Sequence, residues 1–364
     1  MLHGVHSSPL TRAQALVDRL GIRLPILLAP MAGACPPSLS IAVANAGGLG
    51  ACGALMMRPD EIQAWAAEFR AKSQGQFQLN LWIPGPPPKR DTKLERRQRE
   101  FLAAWGPPVP PEAGDASLPD FEAQCQAMLD AAPKVISSIM GLYSRNFISD
   151  LKARGILWFA TATTVAEAKA AEAAGADAVV AQGMEAGGHR GAFDPDQAEA
   201  HMVGLMALLP QVVDAVNLPV IATGGIADAR GLAAALILGA SAVQIGTGLL
   251  RAPESGTHPS YADRIGRTEA HETIVTRAFS GRAGRSIANA YVRAALNGPS
   301  SAAYPVQRGL TSGMRTSAQK SSDSERMQMW AGQSAKLART DPAGDIVRQL
   351  WDDATHALKQ AART

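Results

Sequence analysis

The sequence predicts an α/β protein of the (β/α)8, or TIM-barrel, class, with an excursion after the third strand and a mainly helical carboxy-terminal extension. Two observations carry that expectation. Eight short apolar runs alternate along the chain with Ala-rich amphipathic segments, and the runs are apolar nearly throughout, as strands buried on both faces should be. An open, doubly wound sheet would give the same alternation, and the count of eight favours the closed barrel.

Strands are expected at residues 25–30, 49–54, 77–83, 135–141, 156–162, 177–183, 219–225 and 242–248. Helices are expected between them, at 38–46, 59–72, 121–132, 146–153, 164–174, 201–216 and 227–238. The clearest opens at Thr163-Thr164, carries Glu167 at capping-box spacing and stops at Gly175.

Two regions depart from the rhythm. Residues 84–119 combine Pro86-Pro87-Pro88, a basic run from Lys89 to Arg99 and the prolines of 107–111. This excursion follows the third strand, on the face where barrels build active sites, so it is read equally as a cover for the site or as a solvated loop. From Arg251 onward the pattern is helical but broken, above all through 312–324, and is read as an extension packed on the barrel.

Composition agrees with one large core. The 364 residues are 46% hydrophobic and 18% charged, which fits a single domain over 1–364, with the barrel at about 22–250 and the extension at 251–364. A net charge of +3 is too small to suggest a nucleic-acid partner. Cys35, Cys52 and Cys125 show neither zinc spacing nor a disulfide framework, so no metal site is expected and the thiols suit a cytoplasmic protein. Met1 to His6 lacks the basic-then-apolar pattern of a secretory leader. The uncharged stretch 231–250 imitates a membrane span, but Gly239, Ala240 and Ser241 divide it into a short helix and a short strand, and no membrane partner is expected.

Gly48-Leu-Gly50-Ala-Cys-Gly53 has the spacing of a dinucleotide fingerprint but the wrong context: a helix precedes it and a strand runs through it. The ends of the last two strands are more informative. Thr223-Gly224-Gly225-Ile226 opens onto a helix, and Gln244-Ile-Gly246-Thr247-Gly248 closes the eighth strand. Glycines there let backbone N–H groups approach a phosphate, at the loops where barrels commonly bind one.

The sixth strand ends in Ala181-Gln-Gly-Met-Glu-Ala-Gly-Gly-His-Arg-Gly191. His189 lies where ligand loops belong, and its imidazole can exchange protons or, as a cation, stabilise negative charge. Glu185 and Arg190 are read as ordinary loop charges. Cys35 and Cys52 are read as small packing residues, because no His or Lys neighbours them in sequence.

These blocks resemble the nitronate monooxygenases. The resemblance runs from Leu28-Ala-Pro-Met-Ala-Gly33 through Gly47–Gly50, Asn80, Ala181–Gly191, Thr223–Ile226 and Gln244–Thr247 to Ala331-Gly-Gln-Ser334. It implies FMN as cofactor. Ala29, Pro30 and Met31 would lie along the flavin ring, and Asn80 and Gln182 would hydrogen-bond the ring or ribityl chain. Gly187, Gly224, Gly225, Gln244, Gly246 and Thr247 would cradle the phosphate end. His189 matches the catalytic histidine, and Tyr304 matches an aromatic position on the substrate side. Val135-Ile-Ser-Ser-Ile-Met-Gly141 has no histidine where the best-defined class of the family carries one.

The implied reaction takes an alkyl nitronate and O2 to a carbonyl compound and nitrite, in a monomer or homodimer. The alternative keeps fold and FMN but draws electrons from NAD(P)H, since quinone reductases and enoyl-ACP reductases have a similar Gly-Gly-His loop. A third reading is a non-catalytic barrel holding a phosphorylated ligand.

Overall fold

The structure is a computed structural model describing residues 8–361; the Met1 to His6 stretch lies outside the described residues. Its strands in chain order are β1 (Ile26–Leu28), β2 (Leu49–Gly53), β3 (Gln76–Trp82), β4 (Val135–Ile139), β5 (Leu157–Ala162), β6 (Ala178–Gln182), β7 (Gly188–His189), β8 (Val220–Thr223), β9 (Ala242–Ile245), β10 (Thr273–Thr276) and β11 (Gly284–Ile287). Strands β1 to β6, β8 and β9 are all parallel and close into one barrel, with β1 paired to both β2 and β9. Each of the eight expected strands is present. Seven of them stop short of the expected carboxyl end, β5 alone ending at Ala162 as expected; after Leu28 the chain turns at Pro30, which has no N–H for a ladder.

Register aligns the site. Gly53 pairs with Asn80, Asn80 with Ser137, Gln182 with Thr223, and Thr223 with Gln244. The polar residues that end the strands therefore meet at one mouth of the barrel.

All seven expected helices are present, six of them with bounds close to the expectation. Thr164 Oγ1 accepts from Glu167 N at 3.2 Å, and the Glu167 carboxylate takes Thr164 N in return. The helix expected from 201 begins instead at Leu205, whose N–H donates to both Glu185 carboxylate oxygens at 2.9 and 3.0 Å. That carboxylate satisfies an amide the helix itself leaves open. The helix Ala229–Ile237 and strand β9 divide the uncharged stretch as expected, and no helix among the described residues is long and apolar enough to cross a membrane.

The helix Pro9–Leu20 had no sequence expectation. Ser8 caps its start and Gly21, at φ 67°, its end. Its Leu16 and Leu20 pack on Leu27, Leu49, Val135, Phe159, Ala178, Val180, Ile221 and Ala242. These are residues of the amino-terminal half of the strands, so the helix seals the barrel floor.

The extension is more than helical. Strands β10 and β11 form an antiparallel hairpin, and β11 pairs with β7, Gly284 opposite His189 and Arg285 opposite Gly188. The final helix, Ala343–Ala361, returns to pack between the helices Pro37–Ala46 and Ala229–Ile237, completing the outer ring. The chain between β9 and that helix is therefore an insertion at the carboxyl face of the barrel.

The proline-rich excursion carries a helix, Thr92–Leu102, capped by Asp91. It is fixed to the insertion, with Gln98 Nε2 donating to the carbonyls of Pro299 and Ser300 at 2.8 and 2.7 Å. Leu102 joins Phe279, Tyr291, Val306, Leu310 and Met314 in a second apolar core.

Candidate active site

The barrel mouth opens into a cavity of about 900 Å³, within the range that holds a cofactor-sized ligand. All the residues singled out from sequence line it: Ala29, Pro30, Met31, Asn80, Gln182, Gly187, His189, Gly224, Gly225, Gln244, Gly246, Thr247 and Tyr304.

One wall is a glycine cradle. Gly224 and Gly225 adopt φ of 117° and 69°, left-handed conformations that a side chain would strain. Asp228 caps the helix that follows, its carboxylate accepting from Gly231 N at 3.0 Å. The insertion completes the cradle: Gly332 N donates to Thr247 Oγ1 at 3.0 Å and Gln333 N to Glu185 O at 2.9 Å. Gly332 and Ser334 consequently line the cavity beside Thr247. Backbone amides at glycine turns, unshielded by side chains, suit a phosphate.

The floor is polar. Asn80 Nδ2 donates to Ser137 O and Oγ at 3.1 and 3.0 Å. Gln244 Oε1 accepts from Gln78 Nε2 at 3.1 Å. Gln182 serves its own loop, donating to His189 O at 3.1 Å and accepting from Gly191 N at 2.8 Å. It fixes the backbone around the histidine.

His189 stands in an aromatic box. Trp82 lies edge-on at 4.5 Å between ring centroids, and Trp330 lies on another side at 4.6 Å. Its Nε2 is 2.8 Å from Ser280 Oγ. The ring is partly buried and borders the cavity. Burial first, and then the charges of Arg282 and Arg308, push its pKa from 6.5 down to about 3. The imidazole is therefore neutral near neutral pH.

Tyr304 packs 5.5 Å from Trp82, with the Arg282 guanidinium 5.5 Å from its ring centroid. Its buried hydroxyl has no protein partner. Burial raises the Tyr304 pKa, against the opposing pull of Arg308 and Arg282.

Arg190 is buried and donates to Gly183 O at 2.8 Å and Gln182 O at 3.3 Å, while Glu185 caps a helix, so both hold the loop in shape. The three thiols are free and buried. Burial pushes Cys35 up to about 12 and raises Cys52, which leaves both as packing residues.

Sequence reasoning missed Trp82, Trp330, Ser280 and Arg308. Trp82 ends β3, just after Asn80, and Trp330 immediately precedes the Ala331–Ser334 motif. Arg308 follows Tyr304 by four residues, one helical turn. Ser280 had no local signal, since only the pairing of β11 with β7 brings its loop to His189.

A parallel barrel with glycine-rich loops after its last two strands and a histidine beside a large cavity is an arrangement that suits a flavin-dependent oxidoreductase. A model of the nitronate monooxygenase family matches residues 13–353. The nitronate monooxygenase of Paraburkholderia phytofirmans is 37% identical over 358 residues, covering 96% of this chain and 97% of that protein. The crystal structure of nitroalkane oxidase from Streptomyces ansochromogenes superposes with a TM-score of 0.86 at 37% identity, over 96% of this chain and 99% of that one. FabK from Thermotoga maritima gives a TM-score of 0.72 at 28% identity, over 96% and 98%. The chain belongs to the nitronate monooxygenase family.

Proposed function

We propose that this protein is an FMN-dependent nitronate monooxygenase, taking alkyl nitronates and O2 to carbonyl compounds and nitrite. The observation that carries the reading is the neutral His189 imidazole on a cavity lined by Arg308, with the Arg282 charge also bearing on the ring. A ring with so low a pKa is a weak proton acceptor, ill suited to ionising a neutral nitroalkane. Positive charge beside it suits a substrate that arrives already ionised.

The residues present fit FMN. The amides around Gly224, Gly225 and Gly246, with the Thr247 and Ser334 hydroxyls, would hold one phosphate. Ala29, Pro30 and Met31 would lie along the ring, and Asn80 and Gln244 would offer polar contacts. When bound, the flavin would take electrons from the substrate and pass them to oxygen. His189 would hydrogen-bond the anionic nitro group, Tyr304 would bound the substrate side, and Trp82 and Trp330 would keep water from the reacting atoms.

The test is an anaerobic absorbance titration of the flavin-loaded protein, with ethyl nitronate in one cuvette and NADH or NADPH in another. Bleaching by the nitronate alone is expected. Rapid bleaching by the pyridine nucleotide alone would overturn the reading in favour of a quinone or enoyl-thioester reductase.

A further inference from the structure

We propose that Ser280 is a positioning residue that donates its hydroxyl proton to His189 Nε2, locking the ring as the Nδ1–H tautomer so that a donor faces the cavity. The proposal rests on the pattern of contacts around one oxygen. Ser280 Oγ lies 2.8 Å from His189 Nε2, 3.2 Å from Arg282 O, and accepts Arg282 N–H at 3.2 Å. The hydroxyl has one proton and two candidate acceptors. The imidazole nitrogen is the nearer of them, and the N–H donated by Arg282 polarises the hydroxyl toward giving that proton up.

The opposite arrangement sends the hydroxyl proton to Arg282 O and requires His189 to donate from Nε2. It would turn a lone pair on Nδ1 toward the cavity, against an anion. Nδ1 takes no hydrogen bond from any described residue, and it is absent from the buried atoms lacking a partner, so it opens to the cavity. Trp82 and Trp330 hold the ring on two sides, at 4.5 and 4.6 Å, and restrict its rotation. Ser280 lies in the loop between β10 and β11, and β11 pairs with β7, which carries His189. The insertion thereby sets the protonation pattern of a histidine delivered by the barrel.

The benefit of a donor at Nδ1 depends on the anionic substrate proposed above; the tautomer itself does not. The test is therefore the ¹⁵N spectrum of the imidazoles in flavin-loaded protein, with the His189 signals identified by their loss in His189→Gln. The expected result is a protonated Nδ1 and an unprotonated, hydrogen-bonded Nε2. Ser280→Ala should move these signals toward the Nε2–H form or a mixture, and Ser280→Thr should restore them. With ethyl nitronate, Ser280→Ala should lose about tenfold in kcat/KM, the scale of one charge-assisted hydrogen bond, and Ser280→Thr should recover most of it. If the alanine variant fails to fold, Ser280→Cys, a weaker donor of similar size, gives the same reading. A native Nε2–H tautomer, or signals unchanged in the Ser280 variants, overturns the proposal. A tautomer that responds as expected in a protein that does not oxidise nitronates upholds it and sinks the functional reading instead.

Discussion

Gly187 and Gly332 pass so close that neither has room for a side chain. A Cβ on Gly187 would lie 2.4 Å from Gly332 N, and one on Gly332 would lie 2.7 Å from Glu185 O. The loop after β6 and the tail of the insertion thus meet backbone to backbone behind the cradle. Gly187→Ala should destabilise the protein by about 1–3 kcal/mol, the usual penalty for overpacking, and lower its flavin content. Thermal unfolding and the ratio of flavin to protein absorbance measure both. A variant with unchanged melting and full flavin would show that this contact does not shape the cradle.

His189 combines a role toward substrate with a pH signature. His189→Ala and His189→Asn should retain flavin and lose most turnover with nitronate; full activity in the alanine variant would remove the residue from the mechanism. The folded protein holds the imidazole neutral down to about pH 3, whereas the unfolded chain protonates it near 6.5. The unfolded state therefore binds more protons between those values, and stability due to this group is complete above about 6.5 and falls as the pH drops toward 3. His189→Gln should flatten that dependence. Urea midpoints at pH 7 and pH 5 should fall further in the wild type than in the variant, and parallel falls would contradict the burial of a neutral ring.

Arg308 lines the cavity, and its guanidinium donates no hydrogen bond and forms no ion pair among the described residues. Its charge nevertheless bears on both His189 and Tyr304. Arg308→Met should raise KM for ethyl nitronate by about tenfold, the scale of one charge-assisted contact, with flavin retention unchanged. Steady-state kinetics decides, and an unaltered KM would take Arg308 out of substrate binding.

Leu20 is fully buried against the strand ends that form the barrel floor. Leu20→Ala should lower stability by about 2–5 kcal/mol through lost burial and the cavity left behind. A melting temperature equal to that of the wild type would show that the amino-terminal helix is not part of the cooperative unit.

The barrel strands were legible because they are buried on both faces and read as short, mostly apolar runs, the polar exceptions such as Asn80, Gln182 and Gln244 lying toward their carboxyl ends. The helix Pro9–Leu20 was not read, although Ser8, Pro9 and Gly21 punctuate it plainly, because it precedes the first strand and lies outside the alternation. Strands β10 and β11 escaped because each is four residues long and gains its meaning only by pairing with β7, far away in sequence.

By itself the sequence determined the alternation of strands and helices, the glycine turns after the last two strands, and His189 as the reactive candidate. Those are local properties: hydrophobic period, backbone freedom and the chemistry of one side chain. Only the tertiary structure decided what surrounds that histidine. Trp330, Ser280 and Arg308 come from the insertion between β9 and the last helix, and Trp82 comes from the third strand. The low pKa of His189 follows from burial by these distant segments and from two arginine charges on them. Desolvation and Coulomb interaction depend on distance in space, which spacing along the chain does not encode.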